Sequence, residues 1–124
     1  MKFKTLCVLS FSIALLAACG TSKKTTKTSQ ENTVSKNGVY APRNEELVAL
    51  QTKYKDLNIE TLQEGYSIYT GACTKCHGTK NIYNRSETEW KEIIDDMAAK
   101  AKLNAQQKNA VHMYVLSIKA TQSK

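Results

Sequence analysis

The residues best suited to chemistry lie together in the middle of the chain, at Cys73, Cys76 and His77. They form the pattern Cys-x-x-Cys-His, the signature for covalent attachment of a c-type haem. Two thiols at this spacing on one helical turn can each add to a vinyl group on the same edge of the macrocycle. His77 can then bind the iron as the proximal ligand. The pattern therefore predicts one covalently bound haem.

The same pattern allows three other kinds of site. Zinc could use Cys73, Cys76, His77 and His112, but adjacent Cys76 and His77 would form a strained chelate, and structural zinc usually has a second, separately spaced ligand pair. A thioredoxin-like dithiol requires a βαβ pattern, which the sequence lacks. A disulfide that closes so small a loop gains little stability from chain entropy. Haem attachment is favoured, with a zinc- or disulfide-stapled binding lipoprotein as an alternative.

The first twenty residues predict an exported lipoprotein. Lys2 and Lys4 precede a largely apolar run at residues 6–16, which is too short to span a bilayer but typical of a signal-peptide core. The run ends Leu-Ala-Ala-Cys-Gly, which resembles the bacterial lipobox, where signal peptidase cuts before the cysteine. We therefore expect residues 1–18 to be a signal peptide and Cys19 to carry lipid. An ordinary cleaved signal with an incidental cysteine is the alternative.

A lipidated Cys19 would anchor the chain in a membrane outside the cytoplasm, because more than one acyl chain gives stable attachment. C-type haem is attached on this periplasmic side. The next residue is Gly20, whereas an aspartate there would, by resemblance, favour retention in the inner membrane. The outer membrane is therefore slightly favoured. Cys7 leaves with the signal peptide, so only the Cys73 and Cys76 thiols remain available.

Residues 19–43 are predicted to be the lipid anchor and a flexible linker. From Thr21 to about Ala41 the chain is rich in Thr, Ser, Lys and Asn and has too few bulky apolar residues to offset the entropy of ordering. The formal net charge is +7, but the lysines are scattered rather than gathered in a stripe. They indicate solvated surface rather than nucleic-acid binding. The single proline, Pro42, marks the boundary, and residues 44–124 are predicted to form the domain.

The domain is predicted to be all-α, because apolar residues recur at helical spacing and no useful period-2 alternation is present. Asn44 is a possible N-cap for a short first helix. Capping boxes at Thr61, Ser86 and Asn104 predict three further helices. The last two helices have clear apolar stripes, at Trp90, Ile93, Ile94, Met97, Ala98 and Ala101, and at Val111, Tyr114, Val115 and Ile118.

Gly65 lies inside the second predicted helix, where glycine costs about 1 kcal/mol relative to alanine. We therefore expect another helix to approach closely at this position. A domain this short builds only a small core by itself. A haem would supply a large apolar body against which the helices could pack.

From Leu62 to Ile118 the chain resembles a class I monohaem cytochrome c. The resemblance consists of the Cys-x-x-Cys-His-Gly motif, Gly65-x-x-x-Tyr69 ahead of it, and Val111-x-x-Tyr114-Val115 in the last helix. It implies that the helix carrying Gly65 and Tyr69 crosses the last helix at Val111 and Tyr114. It also implies an electron carrier with one haem and redox partner proteins, rather than an enzyme with a small-molecule substrate.

The resemblance further implies a methionine as the sixth iron ligand. Met97 lies within the apolar stripe of its helix, whereas Met113 and His112 lie about 150° and 110° from the centre of the last helix's stripe. Met97 is therefore favoured over Met113 and His112. If Met97 only fills the core, the sixth iron site would be open, as in a haem sensor or peroxidase-like protein.

Other residues near the motif have less specific interpretations. Trp90 could pack in the core or lie beside the haem edge. Tyr83 and Arg85 could donate hydrogen bonds to a haem propionate or face solvent. Lys75 and Lys80 flank the attachment motif and could steer an acidic partner.

Overall fold

The computed structural model describes residues 35–122, and in this range the chain forms α-helices without any strand. The helices are α1 (Asn44–Gln51), α2 (Ile59–Thr70), α3 (Glu87–Lys100) and α4 (Ala105–Ala120), with short 3₁₀ turns at Ala72–Thr74 and Ile82–Asn84. The predicted all-α class is confirmed. None of these helices is long and apolar enough to cross a membrane. The predicted signal peptide, Cys19 and most of the linker lie outside the described residues.

Helix α4 is the central element, and its side chains from Ala110 to Ile118 are almost all buried. One core cluster joins α4 to α2, α3 and the second 3₁₀ turn and contains Tyr69, Ile82, Trp90, Ile94, Val111, Tyr114, Val115 and Ile118. A second cluster contains Leu50, Leu57, Leu62, Met113 and Leu116. The prediction of a single apolar stripe on α4 was therefore incomplete. Met113 and Leu116 are buried because α1 and the chain that follows it cover another face of α4.

Helices α2 and α4 cross closely at Gly65. A Cβ atom added there would lie 2.1 Å from the carbonyl oxygen of Ala110 and 2.7 Å from the Cβ of Tyr114. The ring of Tyr114 contacts those of Tyr66 and Tyr69, with centroid separations of 5.5 and 5.7 Å. The expected close approach at Gly65 is confirmed. The helix tolerates this glycine because any side chain would clash with the backbone of α4.

Two of the predicted helix starts are confirmed and two are corrected. Capping boxes begin α3 at Ser86 and α4 at Asn104, as predicted. Helix α2 begins earlier than predicted, because the Asn58 side chain caps it by accepting the Thr61 N–H at 2.9 Å. The N-cap of α1 is Arg43, so Asn44 is already helical.

The packed domain also begins before residue 44. Residues 35–43, assigned above to the linker, lie against the helices: Gly38 is buried, and Val39 and Tyr40 pack on the first core cluster. Glu46 of α1 is fully buried and accepts hydrogen bonds from the Arg43 backbone N–H at 2.8 Å and the Tyr40 hydroxyl at 3.0 Å. Burial acts to raise the pKa of Glu46, but the hydrogen bonds from Arg43 and Tyr40 outweigh it and lower the pKa overall.

The crossing at Gly65 gives a stability prediction. Gly65→Ala should lower the free energy of unfolding by about 3 kcal/mol, because the new methyl group must push the α4 backbone away. Gly78→Ala is the matched control, since no described atom lies within 4 Å of the position its Cβ would take. It should change stability by less than about 0.5 kcal/mol. Urea unfolding of both variants measures the difference, and equal midpoints would contradict the close crossing.

Candidate cofactor site

The motif lies just beyond the end of α2. The helix ends at Thr70, Gly71 caps it, and Cys73 lies in the 3₁₀ turn that follows. The hydroxyl of Thr74 donates to the carbonyl of Thr70 at 2.7 Å and holds this turn against the helix end. The two thiols were predicted to lie on one helical turn, but α2 ends before Cys73. Cys73 and Cys76 therefore do not share one α-helical turn.

The motif's three reactive side chains differ in exposure. Cys73 is half-buried, whereas Cys76 and His77 are exposed, and both thiols are free. Burial raises the pKa of the Cys73 thiol. The Nδ1 of His77 lies 3.1 Å from the carbonyl oxygen of Gly78. Because a carbonyl only accepts, Nδ1 is the donor in this contact, which leaves Nε2 as the ring nitrogen that could bind a metal.

A cleft separates the motif from α3. One part has a volume of about 430 Å³, some of it open to solvent, and its walls include Trp90, Ile94 and Val111. The second part, of about 600 Å³ including space open to solvent, is bounded by Cys76, Lys100 and Ala101, among others. Cys73, His77 and Met97 line both parts. The mostly apolar walls of both parts are typical of cofactor sites.

Of the three candidate sixth ligands, only Met97 lies at this cleft. Met97 is a half-buried residue of α3. Met113 is 6 % exposed and belongs to the second core cluster, with α1. His112 lines a separate depression with Lys91, Asp95 and Lys108. Burial and the nearby Lys91 lower the pKa of His112.

The four residues considered above for zinc do not come together at one place among the described residues. Within residues 35–122, no three His, Cys, Asp or Glu side chains converge on a point where they could hold a metal ion. His112 lies at its own depression, apart from the cleft of Cys73 and His77, so the zinc set considered above is not assembled. A covalent haem needs no such convergence. The thiols would bond to carbon atoms of the macrocycle, so only the donors to the iron would come from other side chains such as His77 and Met97.

Two buried side chains hold the loop that follows the motif. The Tyr69 hydroxyl donates to the carbonyl of Lys80 at 2.8 Å, and the Trp90 indole N–H donates to the carbonyl of Ile82 at 2.8 Å. Their rings meet edge-on, with centroids 6.0 Å apart. Trp90 is 2 % exposed, so it packs in the core, and it also lines the cleft. The role of Tyr69 at the loop was missed, because its acceptor is a backbone carbonyl that no sequence pattern marks.

The charged and polar residues near the motif divide into two groups. Lys80 and Lys100 line the cleft, and Lys75 is exposed within the motif. Tyr83 packs on the first core cluster, and Arg85 forms an ion pair with Glu89 at 3.7 Å. Neither of these two residues lines the cleft, so the arrangement gives no support to a propionate contact. Lys100 was not singled out from the sequence, because it is one of many lysines on helix surfaces.

Comparison of the chain with family models, with characterised proteins and with solved structures gave no match.

The difference in burial predicts unequal thiol reactivity in the chain produced without haem. Cys76 should react with iodoacetamide several-fold faster than Cys73, because Cys73 is half-buried and its raised pKa reduces the thiolate fraction. Trypsin cleavage after Lys75 places the two cysteines on separate peptides, so mass spectrometry can follow each rate. In urea, where the chain is unfolded, the two cysteines should react at equal rates, and this serves as the reference. Equal rates in the folded chain would contradict the described burial of Cys73.

Proposed function

We propose that the chain is an electron carrier with one c-type haem, attached at Cys73 and Cys76 and ligated by His77 and Met97. The observation that carries the proposal is the shared cleft: Cys73, His77 and Met97 line both of its parts, between apolar walls. When bound, the haem iron supplies one-electron redox chemistry between its ferric and ferrous states.

The site residues would each have a distinct role. The two thiols fix the macrocycle to the chain. The hydrogen bond from His77 Nδ1 to the Gly78 carbonyl orients Nε2 and makes the ring a better ligand. The Met97 thioether favours ferrous iron and so raises the reduction potential. Apolar wall residues such as Trp90 and Ile94 exclude water, which also raises the reduction potential.

A carrier is favoured over a sensor or a peroxidase-like enzyme by the position of Met97. With Met97 as the sixth ligand, no coordination position is left for a small-molecule substrate, and the protein exchanges electrons only with docked proteins. Lys75, Lys80 and Lys100 lie in or beside the cleft and would steer an acidic redox partner.

The proposed location rests on the sequence alone. A lipid on Cys19 would anchor the chain in a membrane outside the cytoplasm, with the outer membrane slightly favoured. The linker would then let the domain reach its partners from the membrane surface.

The covalent attachment is tested by replacing both motif thiols. In cells that attach c-type haem, Cys73→Ala/Cys76→Ala should abolish the haem that stays with the chain on a denaturing gel, because no thioether bond can form. Cys19→Ala is the matched control, which should keep the haem and lose the lipid. A haem band that survives in the double variant, or none in the natural chain, would refute the proposal.

The sixth ligand is tested by a pair of methionine variants. Met97→Ala should lower the reduction potential and remove the long-wavelength absorption of sulfur-ligated ferric haem. Met113→Ala should leave both unchanged while lowering stability by about 2–5 kcal/mol, because Met113 is buried away from the cleft. An unchanged spectrum and potential in Met97→Ala would show that Met97 is not the ligand and would favour the sensor alternative.

A further inference from the structure

The chain just before α1 forms a turn, which we call the strap (residues 35–41), and Gly38 within it is buried. The Gly38 N–H donates to the Ser35 carbonyl at 2.9 Å, and the Asn37 side chain accepts the Val39 N–H at 3.2 Å. Gly38 has a φ of 70°. A Cβ atom there would lie 3.0 Å from the Tyr83 ring and 3.1 Å from Ile118. The turn therefore packs between the loop after the motif and α4. Position 38 requires glycine because its φ is positive and a Cβ atom would be crowded.

The strap is bonded directly to the loop that lines the cleft. The Ile82 N–H donates to the Asn37 carbonyl at 2.8 Å, while the Ile82 carbonyl accepts the Trp90 indole N–H at 2.8 Å. Ile82 is fully buried. Its backbone is thus held by the strap on one side and by a cleft residue on the other. Lys80, two residues earlier in the same loop, also lines the cleft.

The other end of the strap is fixed to α4. The Tyr114 hydroxyl donates to the Tyr40 carbonyl at 3.0 Å and accepts the Tyr40 N–H at 3.3 Å. The Tyr40 hydroxyl donates to the buried carboxylate of Glu46 at 3.0 Å. The ring of Tyr114 contacts Tyr69, which lines the cleft and holds Lys80. Each end of the strap therefore bonds to a residue that itself contacts a side chain in the wall of the cleft.

We propose that the strap is a positioning element for the cofactor site, which holds loop 80–83 and Trp90 so that water is kept out of the cleft. The inference rests on the proposed function in one respect, that the cleft holds a haem. Loosening the strap admits water, which stabilises the more highly charged ferric form and lowers the reduction potential. The strap directly follows the proposed tether, so the support for the redox site begins where the tether ends.

The test uses two variants of the full chain carrying its haem. Gly38→Ala forces a side chain into the turn, and Tyr114→Phe removes the hydroxyl that binds Tyr40 but keeps the ring. Leu50→Ala is the matched control, because Leu50 is 7 % exposed and lies in the second core cluster. The measurements are the reduction potential and hydrogen exchange at the Ile82 amide and the Trp90 indole.

Both strap variants should lower the potential and speed exchange at Ile82 and Trp90 by about tenfold, as loss of a buried hydrogen bond implies. Leu50→Ala should change neither, although it destabilises the domain. If one strap variant fails to fold, the other decides. An unchanged potential and exchange rate, or an equal shift in Leu50→Ala, would overturn the proposal.

A natural chain without haem would refute the proposed function, while exchange at Ile82 and Trp90 would still decide whether the strap holds the loop.

Discussion

The close contact of α2 with α4 at Gly65 determines where the other parts of the domain lie. The absent side chain lets the Ala110 backbone approach to a distance that a Cβ atom would not allow. At this separation Tyr66 and Tyr69 meet Tyr114, and Tyr69 reaches the carbonyl of Lys80 beyond the motif. A single crossing therefore fixes both the end of α2, where the motif begins, and the loop that follows the motif.

The cleft lies between two elements that are both packed on α4. The motif is held through α2, whereas Met97 and Trp90 are held through α3. The strap joins the loop that follows the motif to α4, because it bonds to Ile82 on one side and to Tyr114 on the other. A domain this short has a small core. An apolar cofactor in the cleft would add buried apolar surface between the motif and α3.

Features set by local chemistry could be predicted from the sequence. The capping boxes at Ser86 and Asn104 involve neighbouring residues only, and Gly65 was informative because glycine is unfavourable inside a helix. Features set by distant contacts could not be predicted. Met113 is buried because α1 covers a second face of α4. The polar composition of residues 35–41 indicated a linker, but backbone bonds to Ile82 and Tyr114 order them. Met97 was favoured as the sixth ligand because it lies in the apolar stripe of a regular amphipathic helix, and this helix places it at the cleft.

In the proposed site, Cys73, Cys76, His77 and Met97 would hold one redox-active haem. One optical spectrum of the purified full-length chain, recorded oxidised and then reduced, tests it most directly. We expect a single c-type haem per chain, with the sharp reduced bands of six-coordinate low-spin iron and the long-wavelength absorption of sulfur ligation in the oxidised form. A colourless protein from cells that attach c-type haem would contradict the account.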